Sequence, residues 1–81
     1  MIVLNAFPSP FTKSFNLDHG TATSGSVISI SGQDGRVIKT IIPTIGSQRT
    51  PVDLSAANAG MYLVRYKNGN GEVETLKILK Q

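Results

Sequence analysis

His19 is the only histidine in the 81-residue chain, and Asp18, Asp34, Asp53, Glu72 and Glu74 are its only acids. Nucleophilic catalysis needs a hydroxyl, a base and an orienting acid within reach of one another, and such a triad could be drawn from Ser14, Asp18 and His19, though serines are plentiful in the chain. No serine lies in the Gly-x-Ser-x-Gly form of a nucleophile elbow, and His19 stands in a run of small polar residues, so it reads as an exposed loop histidine. Glycoside hydrolysis would need two acids facing each other across a cleft. Glu72 and Glu74 share one face of one strand beside a hairpin tip and read as solvated charges. Without cysteine there are no thiolate metal sites and no disulfides, and Gln33-Asp34-Gly35 offers calcium a single carboxylate. Gly32, Gly35, Gly69 and Gly71 open no helix and read as turn residues, not as a phosphate cradle. Tyr62 and Tyr66 beside Arg65 and Lys67 have the composition of a stacking platform for bases or sugars. Alternation along a strand sends the tyrosines and the cations to opposite faces, so the rings belong to the core. The chain reads as non-catalytic, with no cofactor and no metal.

The elements that hold these residues follow from composition and punctuation. Hydrophobic residues at 40% and charged residues at 16% are those of an ordinary folded domain, and residues 1–81 suffice for one domain with a thin core. The formal charge of +3 is spread from Lys13 to Lys80 and not clustered as in nucleic-acid binders, so no nucleic-acid partner is expected. No apolar run approaches the ~20 residues of a membrane-spanning helix. Residues 1–4 lack the basic start and the long apolar stretch of a secretory signal peptide, so a role outside the cytoplasm makes this chain a piece of something longer, with the origin of Met1 left open.

Turn signals recur about every eight to twelve residues, the spacing of an antiparallel sandwich. Strands are expected over residues 2–6, 13–18, 26–31, 36–42, 48–54, 61–67 and 72–80. Pro8 and Pro10 remove two amide donors, so the stretch that holds them must lie at a sheet edge or cross between sheets. Pro51 places residues 48–54 at an edge. Phe15 with Leu17, Ile28 with Ile30, Tyr62 with Val64 and Tyr66, and Leu76 with Ile78 are the inward sets. Val37 and Ile41 oppose Ile38 and Ile42, so that strand does not declare its buried face. Val73 is out of phase with Leu76, which predicts a bulge near Thr75. Ser55 caps at most one helical turn ended by Gly60. About seven short strands and no long helix give an all-β, immunoglobulin-like antiparallel β-sandwich. In such folds a Tyr just after a Gly-led crossover forms a tyrosine corner, which assigns Gly60 and Tyr62 to folding.

Four landmarks in order carry a resemblance: Phe7-Pro8-Ser9-Pro10-Phe11, Asp34-Gly35-Arg36-Val37-Ile38, Asp53-Leu54-Ser55 running to Gly60-Met61-Tyr62-Leu63-Val64, and the closing Leu76-Lys77-Ile78-Leu79-Lys80. Together they resemble the type A C-terminal sorting domain of the type IX (Por) secretion system of Bacteroidetes, from about Leu4 to Lys80. Ser9 departs from the family's usual Asn, and Ala57 from a larger aliphatic. The resemblance implies a secretion signal at the end of a longer cargo protein, in the periplasm in transit and then at the cell surface or outside. It implies binding by outer-membrane secretion machinery and removal by a sortase-like peptidase just before residue 1. Pro8, Pro10, Gly35, Gly60 and Tyr62 become structural residues of the family motifs, and Lys77 and Lys80 the candidates for recognition, against a reading of both as solubilising charges on an edge strand. The rival reading is a structural or carbohydrate-binding sandwich module of a secreted enzyme, which would show exposed aromatics on one face or loop cluster.

Overall fold

The computed structural model describes residues 4–8 and 10–81. It contains seven strands: β1 Asn5–Phe7, β2 Ser14–Asp18, β3 Val27–Ser31, β4 Val37–Ile41, β5 Arg49–Asp53, β6 Gly60–Lys67 and β7 Val73–Lys80. They pair antiparallel in two sheets, ordered β1-β2-β5 and β4-β3-β6-β7, which pack as the expected sandwich. Of the first expected strand, residues 1–3 lie outside the described residues.

Period-two alternation builds the core. Phe15 and Leu17 of β2 and Val52 of β5 face Ile28 and Ile30 of β3, Val64 and Tyr66 of β6 and Ile78 of β7, all of them buried. Burying each large side chain of this kind contributes about 1.5–3 kcal/mol. β5, with Pro51 exposed at its centre, is an edge strand as expected, since a proline there withholds no needed ladder donor. The opening motif makes the expected crossing. After β1 at the edge of one sheet, the chain passes Pro8 and Pro10 and reaches the edge of the other. There Phe11 N–H donates to the Leu79 carbonyl at 3.0 Å, and Gln81 N–H donates to the Phe11 carbonyl at 2.8 Å. The Phe11 ring then packs against Phe15 with centroids 4.8 Å apart. Ser9, one of the two departures from the family pattern, lies outside the described residues.

Two expectations need correction. Residues 55–59 form turns and bends without a helical turn. The Asp53 carboxylate takes the Ser55 N–H at 2.9 Å, so Ser55 is the capped residue and not the cap. The β6–β7 pairing also runs without a bulge from Gly60↔Lys80 to Lys67↔Val73. Val73 stays on the outer face, 49% exposed, because near a hairpin tip one solvated valine is tolerated more easily than a broken ladder. The register shift falls instead between Ile30 and Ser31, which pair with Lys39 and Val37 and leave Ile38 as the extra residue. That shift, on an edge strand that packs only Ile41 against the core, accounts for the irregular pattern of β4.

The β6–β7 turn uses its glycines for two different reasons. Gly71 has φ of +90°, whereas a Cβ added to Gly69 would lie 2.3 Å from the Ser24 carbonyl oxygen and 2.5 Å from Thr23 Oγ1. Gly69 N–H donates to that same Thr23 hydroxyl at 3.2 Å, joining the turn to the β2–β3 loop. Gly69→Ala is therefore expected to destabilise the domain by about 1–3 kcal/mol, through forced separation of the two loops. Urea denaturation measures this; a loss below about 0.5 kcal/mol would show that the loops part freely.

Candidate functional site

The chain passes from one sheet to the other through residues 54–59, and the motif residues gather at this crossover. It begins with Asp53, whose Oδ1 accepts the Ser55 amide, and with Leu54 N–H donating to the Lys13 carbonyl at 2.9 Å. It ends at Gly60, whose φ of +147° is open to glycine and rare for other residues. Between these ends two side chains of the four-stranded sheet reach back. The Tyr62 hydroxyl donates to the Asn58 carbonyl, and the Lys80 ammonium donates to the Ala57 carbonyl. The first is the expected tyrosine corner, and the Tyr62 ring is buried. The second is unexpected. Leu76, Ile78 and Lys80 share the inward phase of β7, and Lys80 is only 7% exposed, so it is no solubilising surface charge. Its methylenes cover apolar surface while the ammonium reaches the crossover. The phase of the strand carried this signal, but the residue type argued against reading it. Lys77, three positions earlier, is exposed on the other face.

Ala57 is half-buried against the core, so the smaller side chain still packs, and its carbonyl is the acceptor for Lys80. Gly35, with φ of +84°, makes the β3–β4 turn, where Asp34 Oδ1 accepts the Arg36 amide at 3.0 Å. A groove of about 780 Å³ lies between this turn and the crossover, lined by Asp34, Ile38, Lys39, Asp53, Asn58 and Tyr62 among others. Its polar groups hold backbone: both carboxylates accept turn amides, and Lys39 Nζ donates to the Asp53 carbonyl at 2.7 Å. Asp53 titrates below the usual carboxylate range, first because of the Ser55 amide, then through the Ser55 side chain and the positive potentials of Lys39 and Lys80. No cluster of three or more metal-ligating side chains occurs among the described residues.

The structure places His19 otherwise than the sequence suggested. It is buried at the opposite end of the sandwich, stacked on Tyr66 with ring centroids 4.8 Å apart and 16° between planes. Its Nδ1 proton goes to the Gly20 carbonyl at 2.7 Å, and in the neutral ring Nε2 accepts from the Thr50 hydroxyl at 2.8 Å. The loop folds over the end of the core, which a local reading of small polar residues does not reveal. Glu72 and Glu74 are separated too. Glu72 lies in the β6–β7 turn and accepts from the Asn68 side chain at 3.3 Å. Glu74 pairs with Tyr66 on the inner face, half-buried.

Compared with known protein families, residues 5–81 match the one described as "Secretion system C-terminal sorting domain". No curated protein matches the chain.

The corner yields two measurements. Tyr62→Phe keeps the ring and loses one hydrogen bond, for about 0.5–1.5 kcal/mol, whereas Tyr62→Ala also empties the core, for about 3–5 kcal/mol. A Tyr62→Phe loss near zero in chemical denaturation would show that the hydroxyl holds nothing. For Asp53, a depressed folded-state value means that the unfolded chain takes up the proton first as pH falls. The stability its carboxylate contributes is therefore present above the ordinary carboxylate range and lost as pH falls through the folded value. Asp53→Asn is expected to flatten the acid limb of stability against pH. An unchanged limb would show that the turn does not depend on the charge.

Proposed function

The chain belongs to the secretion system C-terminal sorting domain family and is a sorting signal for type IX secretion, and from this we infer how it serves its cargo. It is the last domain of a longer exported protein, which crosses the inner membrane on its own signal peptide and is held in the periplasm in transit. The outer-membrane machinery binds the folded sandwich. A sortase-like peptidase then cuts before residue 1, leaving the cargo released or anchored at the surface. The domain is the substrate of that peptidase and performs no chemistry itself.

The observation that carries this reading is the family match over residues 5–81, nearly the whole chain. The aromatic inventory supports it against a carbohydrate-binding module. Phe11, Phe15, Tyr62 and Tyr66 are buried, and Phe7 carries the Arg49 guanidinium 4.7 Å from its ring centroid, so no group of exposed rings is offered to a sugar. No helix among the described residues is long and apolar enough to cross a membrane. Of the two lysines proposed for recognition, exposed Lys77 is suited to touch the machinery directly. Buried Lys80 would act by holding the crossover and the closing strand in place.

Fused behind a signal peptide and a reporter in a host with the type IX machinery, the chain is expected to carry the reporter from the periplasm to the surface or medium. Lys77→Gln should fold with stability within about 0.5 kcal/mol of the parent and export less. Lys80→Gln should lose about 1–3 kcal/mol by leaving a carbonyl unpaired, and export should fall with folded fraction. A folded parent fusion that stays periplasmic would refute the sorting reading.

A further inference from the structure

The outer face of the four-stranded sheet is where the excess charge of the chain is concentrated. Opposite the buried Tyr62, Val64 and Tyr66, β6 presents Met61, Leu63, Arg65 and Lys67, and β7 presents Val73, Thr75, Lys77 and Leu79. Arg65 lies between Ser29 and Thr75, Lys67 between Val27 and Val73, and Lys77 across from Leu63. Arg65 is thus within roughly 7–8 Å of both other cations, as a same-face neighbour along its strand and as a diagonal neighbour across the pair. No outward position of these strands is acidic. Asp18 and Asp53 are in the other sheet, Asp34 and Glu72 are in turns, and Glu74 points inward. Among the described residues no hydrogen bond or ion pair engages the three cations, whereas Arg49, Lys39 and Lys80 each have one. The remaining five cations equal the five acids in number, so the net +3 of the chain resides on this one face.

Three like charges on adjacent strands repel one another and lower stability, so folding does not account for them. We propose that this face docks on an acidic patch of a protein of the export machinery, an inference that rests on the sorting reading and names the contact it requires. Strands about 4.8 Å apart rising about 3.4 Å per residue give the face about 400 Å², half of what a stable interface takes from each partner. Such a contact is transient and steered by charge. Two copies of this face repel each other by the same positive charge, so a symmetric pairing of the face with itself is disfavoured. A phosphate-rich partner fits less well, because strand amides are paired within the sheet, none converges on the face, and Met61, Leu63 and Leu79 interleave with the cations.

The test uses the signal-peptide–reporter fusion in the exporting host. R65Q/K67Q, which leaves the closing strand intact, is expected to lower export about fivefold or more, with a thermal midpoint within about 4 °C of the parent. R65K/K67R, which keeps the charge, should export normally. So should K13Q/R36Q, which removes the same charge from exposed positions off the face. Export of R65Q/K67Q at the parent level, or an equal fall in K13Q/R36Q, would overturn the proposal. So would cosedimentation of the parent, but not of R65Q/K67Q, with phosphatidylglycerol–phosphatidylethanolamine vesicles, which would make the partner a lipid surface. Failure of the parent fusion to export refutes the sorting reading itself, before the face is reached.

Discussion

A sandwich of two separate sheets depends on the covalent connections between them, and here the decisive one is the crossover from β5 to β6. Hydrophobic burial holds the sheets together but is non-directional; it does not say where β6 begins. The carbonyls of Ala57 and Asn58 do, because Lys80 and Tyr62 bind them from a sheet whose register is already set by Gly60↔Lys80 and Tyr62↔Ile78. The crossover is short, has no regular ladder, and takes its shape from side chains at both ends. Asp53 organises its start, and Gly60 supplies the φ of +147° at its exit.

The other end of the molecule is closed by a different device. His19, Tyr66 and Thr50 join the β2–β3 loop to both sheets, and Gly69 lets the β6–β7 turn approach Thr23 and Ser24. Tyr66 and Tyr62 are thus two ends of one strand, each with its ring in the core and its hydroxyl directed to a loop. β6 couples the two ends, which makes it the natural centre of the fold.

What could be read from the sequence was what a fully buried face imposes. β2, β3 and β6 have such a face, and their alternation identified Phe15, Leu17, Ile28, Ile30, Tyr62, Val64 and Tyr66 without ambiguity. β4 has none: Val37 and Ile38 are 54% and 44% exposed, so no periodic constraint acted on their order. His19 was missed because its burial comes from a loop folding over distant residues, Thr50 among them, and local composition carries no trace of that. Lys80 was missed for the opposite reason. Its position announced an inward side chain, but a lysine is seldom buried, and only the carbonyl it meets from residue 57 makes the placement favourable. In the candidate site, Gly60 and Tyr62 were readable as a corner, while the clustering of Arg65, Lys67 and Lys77 on one face needed the strand pairing.

The two faces of β7 thereby divide the roles: Ile78 and Lys80 secure the fold, and Lys77 belongs to the charged outer surface of a sorting signal. Tyr62 and Lys80 together fix the crossover that closes this sandwich. Amide hydrogen exchange on the parent and on a Tyr62→Phe, Lys80→Met variant tests it most directly. The Ser55 and Ala57 amides are expected to lose protection first in the variant, while the amides of β2 keep theirs. Unchanged protection at Ser55 and Ala57, or a uniform loss throughout both sheets, would contradict it.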